Sequence, residues 1–155
     1  MIKKLITVFL ILFAIAQFFN PQKNEYTSTP ESDFILTEKP PQQLAAILKE
    51  SCYDCHSNNT RYPWYDRITP VNFWLNGHIK GAKKELNFSL WNQYSAKRKA
   101  HKLEECIEMI NERKMPLESY LLTHGEAKLS DSEIKILTDW IVLLKIKYET
   151  TDLPM

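Results

Sequence analysis

Apolar residues are distributed along this chain in two ways: one continuous block near the start, and stripes at three- and four-residue spacing beyond residue 40. The block runs from Leu5 to Phe19, is interrupted only by Thr7 and Gln17, and follows Lys3 and Lys4. Cationic residues ahead of an apolar run mark an export or anchoring segment, with the positive end held in the cytoplasm and the rest of the chain sent across. The run is shorter than the about 20 residues of a full span, though Ile2 and snorkelling lysines lengthen it. Two readings stay open. Ala14-Ile15-Ala16 has the small-x-small form of a signal-peptide cleavage site. Phe18 and Phe19, followed by the helix-ending Asn20-Pro21, suit the interface end of an uncleaved anchor, which is the expectation adopted for residues 1–20.

Residues 21–40 are polar and punctuated by prolines, with Gln22-Lys23-Asn24-Glu25 and Thr27-Ser28-Thr29-Pro30 offering little to bury, and predict a flexible linker. The stripes that follow predict four helices. Pro41 starts the first, which runs through Leu44, Ile47 and Leu48 to the cysteine at 52. After an aromatic-rich loop over 57–68, Thr69-Pro70 opens the second, through Phe73, Trp74 and His78. Ser95 caps the third, through Leu103, Cys106, Ile107 and Ile110, which ends before Met115-Pro116. Ser130 and Glu133 form a capping box for the last, which places Ile134, Leu137, Ile141 and Leu144 on one stripe with Trp140 beside it. The folded domain is therefore expected over residues 41–149.

Composition narrows this picture. A chain of 155 residues, 44% hydrophobic, buries one small core. With only 3 Gly and little strand-like alternation, that core is expected to be all-α. Lys and Arg number 20 against 19 Asp and Glu, so no bulk field points to nucleic acid. The three cysteines are too few and too uneven for a disulfide framework.

Two of those cysteines lie in Cys52-Tyr53-Asp54-Cys55-His56. Cys-x-x-Cys-His is the attachment signal of c-type haem, because on a helical turn two thiols and an imidazole converge on one porphyrin edge. The competing uses of a Cys-x-x-Cys pair fare less well. A closed zinc site needs a second ligand pair, and a thioredoxin-like pair needs a βαβ setting. The expectation is one covalent haem, held by Cys52 and Cys55 with His56 on the iron. Attachment of this type happens on the outer face of a membrane, where the leading segment sends the domain.

The run Cys52-Tyr53-Asp54-Cys55-His56-Ser57-Asn58, with Tyr62-Pro63-Trp64-Tyr65, Asn87-Phe88-Ser89-x-Trp91 and Met115-Pro116-x-x-x-Tyr120, resembles the bacterial haem-binding domain family over roughly residues 36 to 146. That resemblance implies a short cytochrome-c-like protein, often with one N-terminal membrane segment. It fixes a cofactor better than a physiological role.

Met115 is the first choice of sixth ligand, since its distance in sequence from His56 and its Met-Pro setting match small cytochromes c. His78 is the rival, with His101 and His124 behind it. Trp64 is a candidate haem wall, Tyr120 and Arg61 candidate propionate partners, and Arg67 a weaker one. Cys106 reads as a buried, inert thiol. The expected whole is a cytochrome-c-like helical domain, tethered to the membrane in the periplasm, that carries electrons between redox partner proteins and is not itself an enzyme. A sensor or minor peroxidase with an open sixth site, and a haem-bearing subunit of a larger respiratory complex, are the alternatives.

Overall fold

The computed structural model describes residues 1–26 and 28–151; Thr27, part of the expected linker, lies outside the described residues. Every regular element among them is helical: α1 Ile2–Ala16, α2 Phe34–Glu38, α3 Gln42–Ser51, α4 Tyr53–His56, α5 Val71–Glu85, α6 Ala96–Asn111, α7 Glu118–Leu121 and α8 Asp131–Thr151, with short 3-10 turns at Trp64–Arg67, Phe88–Gln93 and Gly125–Ala127.

The helix boundaries follow local chemistry. Ser95 accepts from the Arg98 amide at 3.3 Å and so starts α6. Ser130 accepts from the Glu133 amide at 3.3 Å while Glu133 accepts from the Ser130 amide at 2.9 Å, completing the reciprocal box ahead of α8. The stripe on α8 is buried at Leu137, Ile141 and Leu144 and continues one turn further to Tyr148. It packs chiefly on α6, which presents Leu103 and Ile110 to the same core.

The segment 21–40 departs from the expectation of a flexible linker. Asn24 is buried: its amide donates to Tyr62 Oη at 2.7 Å and its Nδ2 to the Ser57 carbonyl at 2.8 Å. Asp33 caps α2 and also accepts from Tyr53 Oη at 3.0 Å. Phe34 is 1% exposed and sits among Phe88, Trp91 and Trp140 at ring distances of 5.0, 4.8 and 5.8 Å. One buried aromatic in a five-residue helix has no periodicity to announce it, so the polar and proline-rich surroundings dominate the sequence pattern.

The first stripe helix also differs in detail. It ends at Ser51, and Cys52, at φ −129°, breaks the ladder before α4 begins. At the other end of the chain, α1 has 15 residues, none buried, and is about 22 Å long against the roughly 30 Å of a bilayer's hydrocarbon core. No helix among the described residues is long and apolar enough to cross a membrane, so the expected transmembrane helix finds no support in the fold.

Candidate haem-binding site

The cysteine motif forms a single turn. Amides of Cys55 and His56 both donate to the Cys52 carbonyl, at 3.3 and 3.0 Å. The turn rests against α5 and against Phe88, whose ring lies 6.0 Å from that of His56. His56 Nδ1 lies 3.0 Å from the Leu86 carbonyl. A carbonyl only accepts, so Nδ1 carries the proton and Nε2 keeps its lone pair. Burial holds this imidazole below its usual pKa, against the opposing pull of that carbonyl. The ring is thus neutral and oriented, as a metal-ligating histidine must be.

The thiols are protonated rather than reactive. Burial, with Cys106 and Cys55 nearby, pushes Cys52 up to about 12, and burial with the Asp54 charge pushes Cys55 up to about 11. Redox and zinc-binding pairs require thiolates, which this setting disfavours. Among the described residues no cluster of three or more His, Cys, Asp or Glu side chains is arranged to hold a metal ion.

Two clefts meet at the motif. One, of about 420 Å³, is walled by Cys52, His56, Leu86, Phe88, Cys106, Met109, Ile110 and Met115. The second, of about 40 Å³, is lined by Cys52, Cys55, His56, His78, Met115 and Tyr120. Cys52, His56 and Met115 border both. The fold therefore brings Met115 to the motif, and it brings His78 as well. His78 Nδ1 donates to the Trp74 carbonyl at 3.0 Å, which orients its ring as the Leu86 carbonyl orients that of His56. His101, paired with Glu105 at 3.2 Å, and His124, stacked on Tyr120 at 4.1 Å, line neither cleft.

The remaining expected contacts fall elsewhere. Trp64 is 74% exposed and borders neither cleft, so it is no wall of this site. Arg67 is exposed. Arg61 is engaged by two carboxylates: Nε and Nη2 reach Asp54 at 3.0 and 3.2 Å, and Nη1 reaches Glu50 at 3.2 Å. Tyr120 does line the smaller cleft, but its hydroxyl donates to Asp54 Oδ2 at 2.9 Å. Its phenol is pushed well above its usual pKa by burial and by the Asp54 charge. Both residues are engaged by the carboxylate of Asp54, between the two cysteines. Sequence reasoning passed over Asp54; its one signal was a carboxylate on the buried side of an otherwise thiol-and-imidazole turn. Burial raises the Cys106 thiol to about 12, and its side chain walls the larger cleft.

A family model described as a haem-binding domain matches residues 11–142, well over half of the chain. The chain belongs to the haem-binding domain family. No curated protein and no solved structure matches it. The side chains of this haem-binding domain fit the group its family binds: a neutral imidazole fixed through Nδ1, two protonated thiols on the same turn, and an apolar cleft closed by Leu86, Phe88 and Ile110. Cys52 and Cys55 would hold the porphyrin edge, and His56 would hold the iron.

Proposed function

We propose that the haem is carried covalently, as haem c, through Cys52 and Cys55, with His56 and Met115 as the side chains that would hold the iron. The observation that carries this reading is the bond from His56 Nδ1 to the Leu86 carbonyl, which leaves Nε2 available beside two thiols and a thioether. Cys52 and Cys55, held as thiols, would tie the porphyrin edge as thioethers, an addition that needs no oxidant. Bound there, the haem supplies a one-electron couple whose potential a thioether ligand raises. Around it, Leu86, Phe88 and Ile110 exclude water and the Leu86 carbonyl holds the imidazole. We read the protein as an electron carrier on the outer, periplasmic face of the cytoplasmic membrane, tethered by α1 and exchanging electrons with partner proteins.

The test is intact mass. Protein from a host that matures c-type cytochromes gains the mass of one haem, and Cys52→Ser or Cys55→Ser abolishes or weakens that gain; an unchanged mass with no Soret band sinks the covalent reading. His78 supports a second ligation, imidazole on both sides of the iron, because its Nδ1 is pinned as that of His56 is. Met115→Ala decides between them. Loss of the weak band at the red edge of the oxidised spectrum supports methionine, whereas an unaltered low-spin spectrum assigns the position to His78.

A further inference from the structure

The segment that joins α1 to the domain is fastened at close range. Gln17 forms a reciprocal pair with Thr69: its Nε2 donates to the Thr69 carbonyl at 3.1 Å and its Oε1 accepts from the Thr69 amide at 2.9 Å. Thr69 Oγ1 donates to the Phe19 carbonyl at 3.0 Å, and Asn72 Nδ2 donates to Asn20 Oδ1 at 3.0 Å. Lys23 pairs with buried Asp66, and Lys83 donates to Asn24. The end of the apolar helix is thereby bound to the first turn of α5, with no free tether between them.

That turn is apolar where it faces outward. Phe73 and Trp74 are 46% and 50% exposed, beside Phe18 at 85% and Phe19 at 63%. Four aromatic rings therefore surround the junction. Further along the outer face of α5, Gly77 and Gly81 leave open space, and Lys80 and Lys84 are exposed. From Arg67 to Lys84 the chain carries four cations and no carboxylate.

We propose that the outer face of α5 docks on a bilayer of anionic phospholipid, with Phe18, Phe19, Phe73 and Trp74 at the acyl–headgroup boundary and Lys80 and Lys84 on the phosphates. The inference rests on α1 being the tether and goes beyond it. With α1 in the lipid, the chain passes from Ala16 straight into residues 17–20, and the hydrogen bonds at Thr69 and Asn72 hold the start of α5 against the surface that α1 enters. Aromatic rings and lysines are the side chains that such a boundary retains. The haem-binding domain then has one fixed orientation on the membrane. Its smaller cleft, to which α5 contributes His78 and Ala82, opens close to the lipid surface.

The experiment uses the full haem-loaded chain in vesicles of phosphatidylcholine and phosphatidylglycerol. Gly77→Cys, at a position with room for a side chain, is labelled with a water-soluble maleimide, and Lys135→Cys on exposed α8 is the control. Labelling at 77 is expected to slow about tenfold between detergent and vesicles while labelling at 135 is unchanged. A nitroxide lipid carrying its label near the headgroup is expected to quench a fluorescence component that Trp74→Phe removes. Protein that floats with the vesicles but labels equally at both positions, without that quenching, overturns the docking face and leaves the tether standing. Protein that does not float overturns both.

Discussion

Two buried carboxylates organise this protein, and they do different things. Glu38, its side chain fully buried, accepts from Trp91 Nε1 at 2.7 Å, from Lys147 Nζ at 2.9 Å and from the Tyr148 hydroxyl. It thereby joins α2, the turn at Phe88–Gln93 and α8, three elements distant in sequence. Asp54 accepts from Arg61 and Tyr120 and joins α4 to the loop after it and to α7, all around the cysteine turn. Both combine a tyrosine hydroxyl with a cation. One closes the core, whereas the other fixes the orientation of the turn from Cys52 to His56.

The difference is open to direct test, beginning with the largest effect. Glu38→Ala leaves the Trp91 and Tyr148 donors unpaired in the core and is expected to cost about 3 kcal/mol, read from denaturant unfolding, while the haem spectrum of the folded fraction stays unchanged. Asp54→Asn is expected to cost less, roughly 1–2 kcal/mol, because Arg61 is 58% exposed and water replaces part of the pairing. Its main consequence is a lower ratio of haem absorbance to protein. A variant of Asp54 that unfolds as readily as Glu38→Ala, with full haem content, would erase the distinction.

Acid provides the next test. Burial raises the pKa of Glu38, but the donors from Tyr148, Lys147 and Trp91 outweigh it and hold the carboxyl below its ordinary 4.5. A depressed folded pKa contributes stability that is present in full above the unfolded value and lost as pH falls through the folded one. The wild-type chain should therefore lose stability below about pH 4.5, and Glu38→Gln should flatten that slope in thermal melts at successive pH values. Trp64→Ala marks the small end of the scale. Its ring touches neither network, so a change within about 0.5 kcal/mol and an unaltered Soret band are expected.

Legibility in the sequence tracked how local each signal was. The Ser130–Glu133 box, the Ser95 cap and the α8 stripe are patterns within one helix, and they stand where the spacing puts them. Cys52, Cys55 and His56 form a contiguous motif, and they share the cleft that Met115 and His78 enter from far along the chain. Phe34, Asp54 and Glu38 were opaque because their importance comes from partners up to 110 residues away or from burial that no neighbouring residue implies. Arg61 and Tyr120 were singled out as polar groups near the cofactor. In the fold both meet the carboxylate of Asp54, because electrostatics specifies complementarity and says nothing of which group supplies it.

The helix α5 has a mechanical consequence. Its first turn is clasped to the segment that follows α1, its middle carries His78, and the residue that follows its last turn offers the carbonyl that orients His56. About 22 Å of rigid rod thus connects the junction with α1 to the ring that would hold the iron. Such a rod is a lever. A tilt imposed at its first turn is delivered as a rotation of the imidazole at the other end, so whatever takes hold of α1 also turns the ring that would hold the iron.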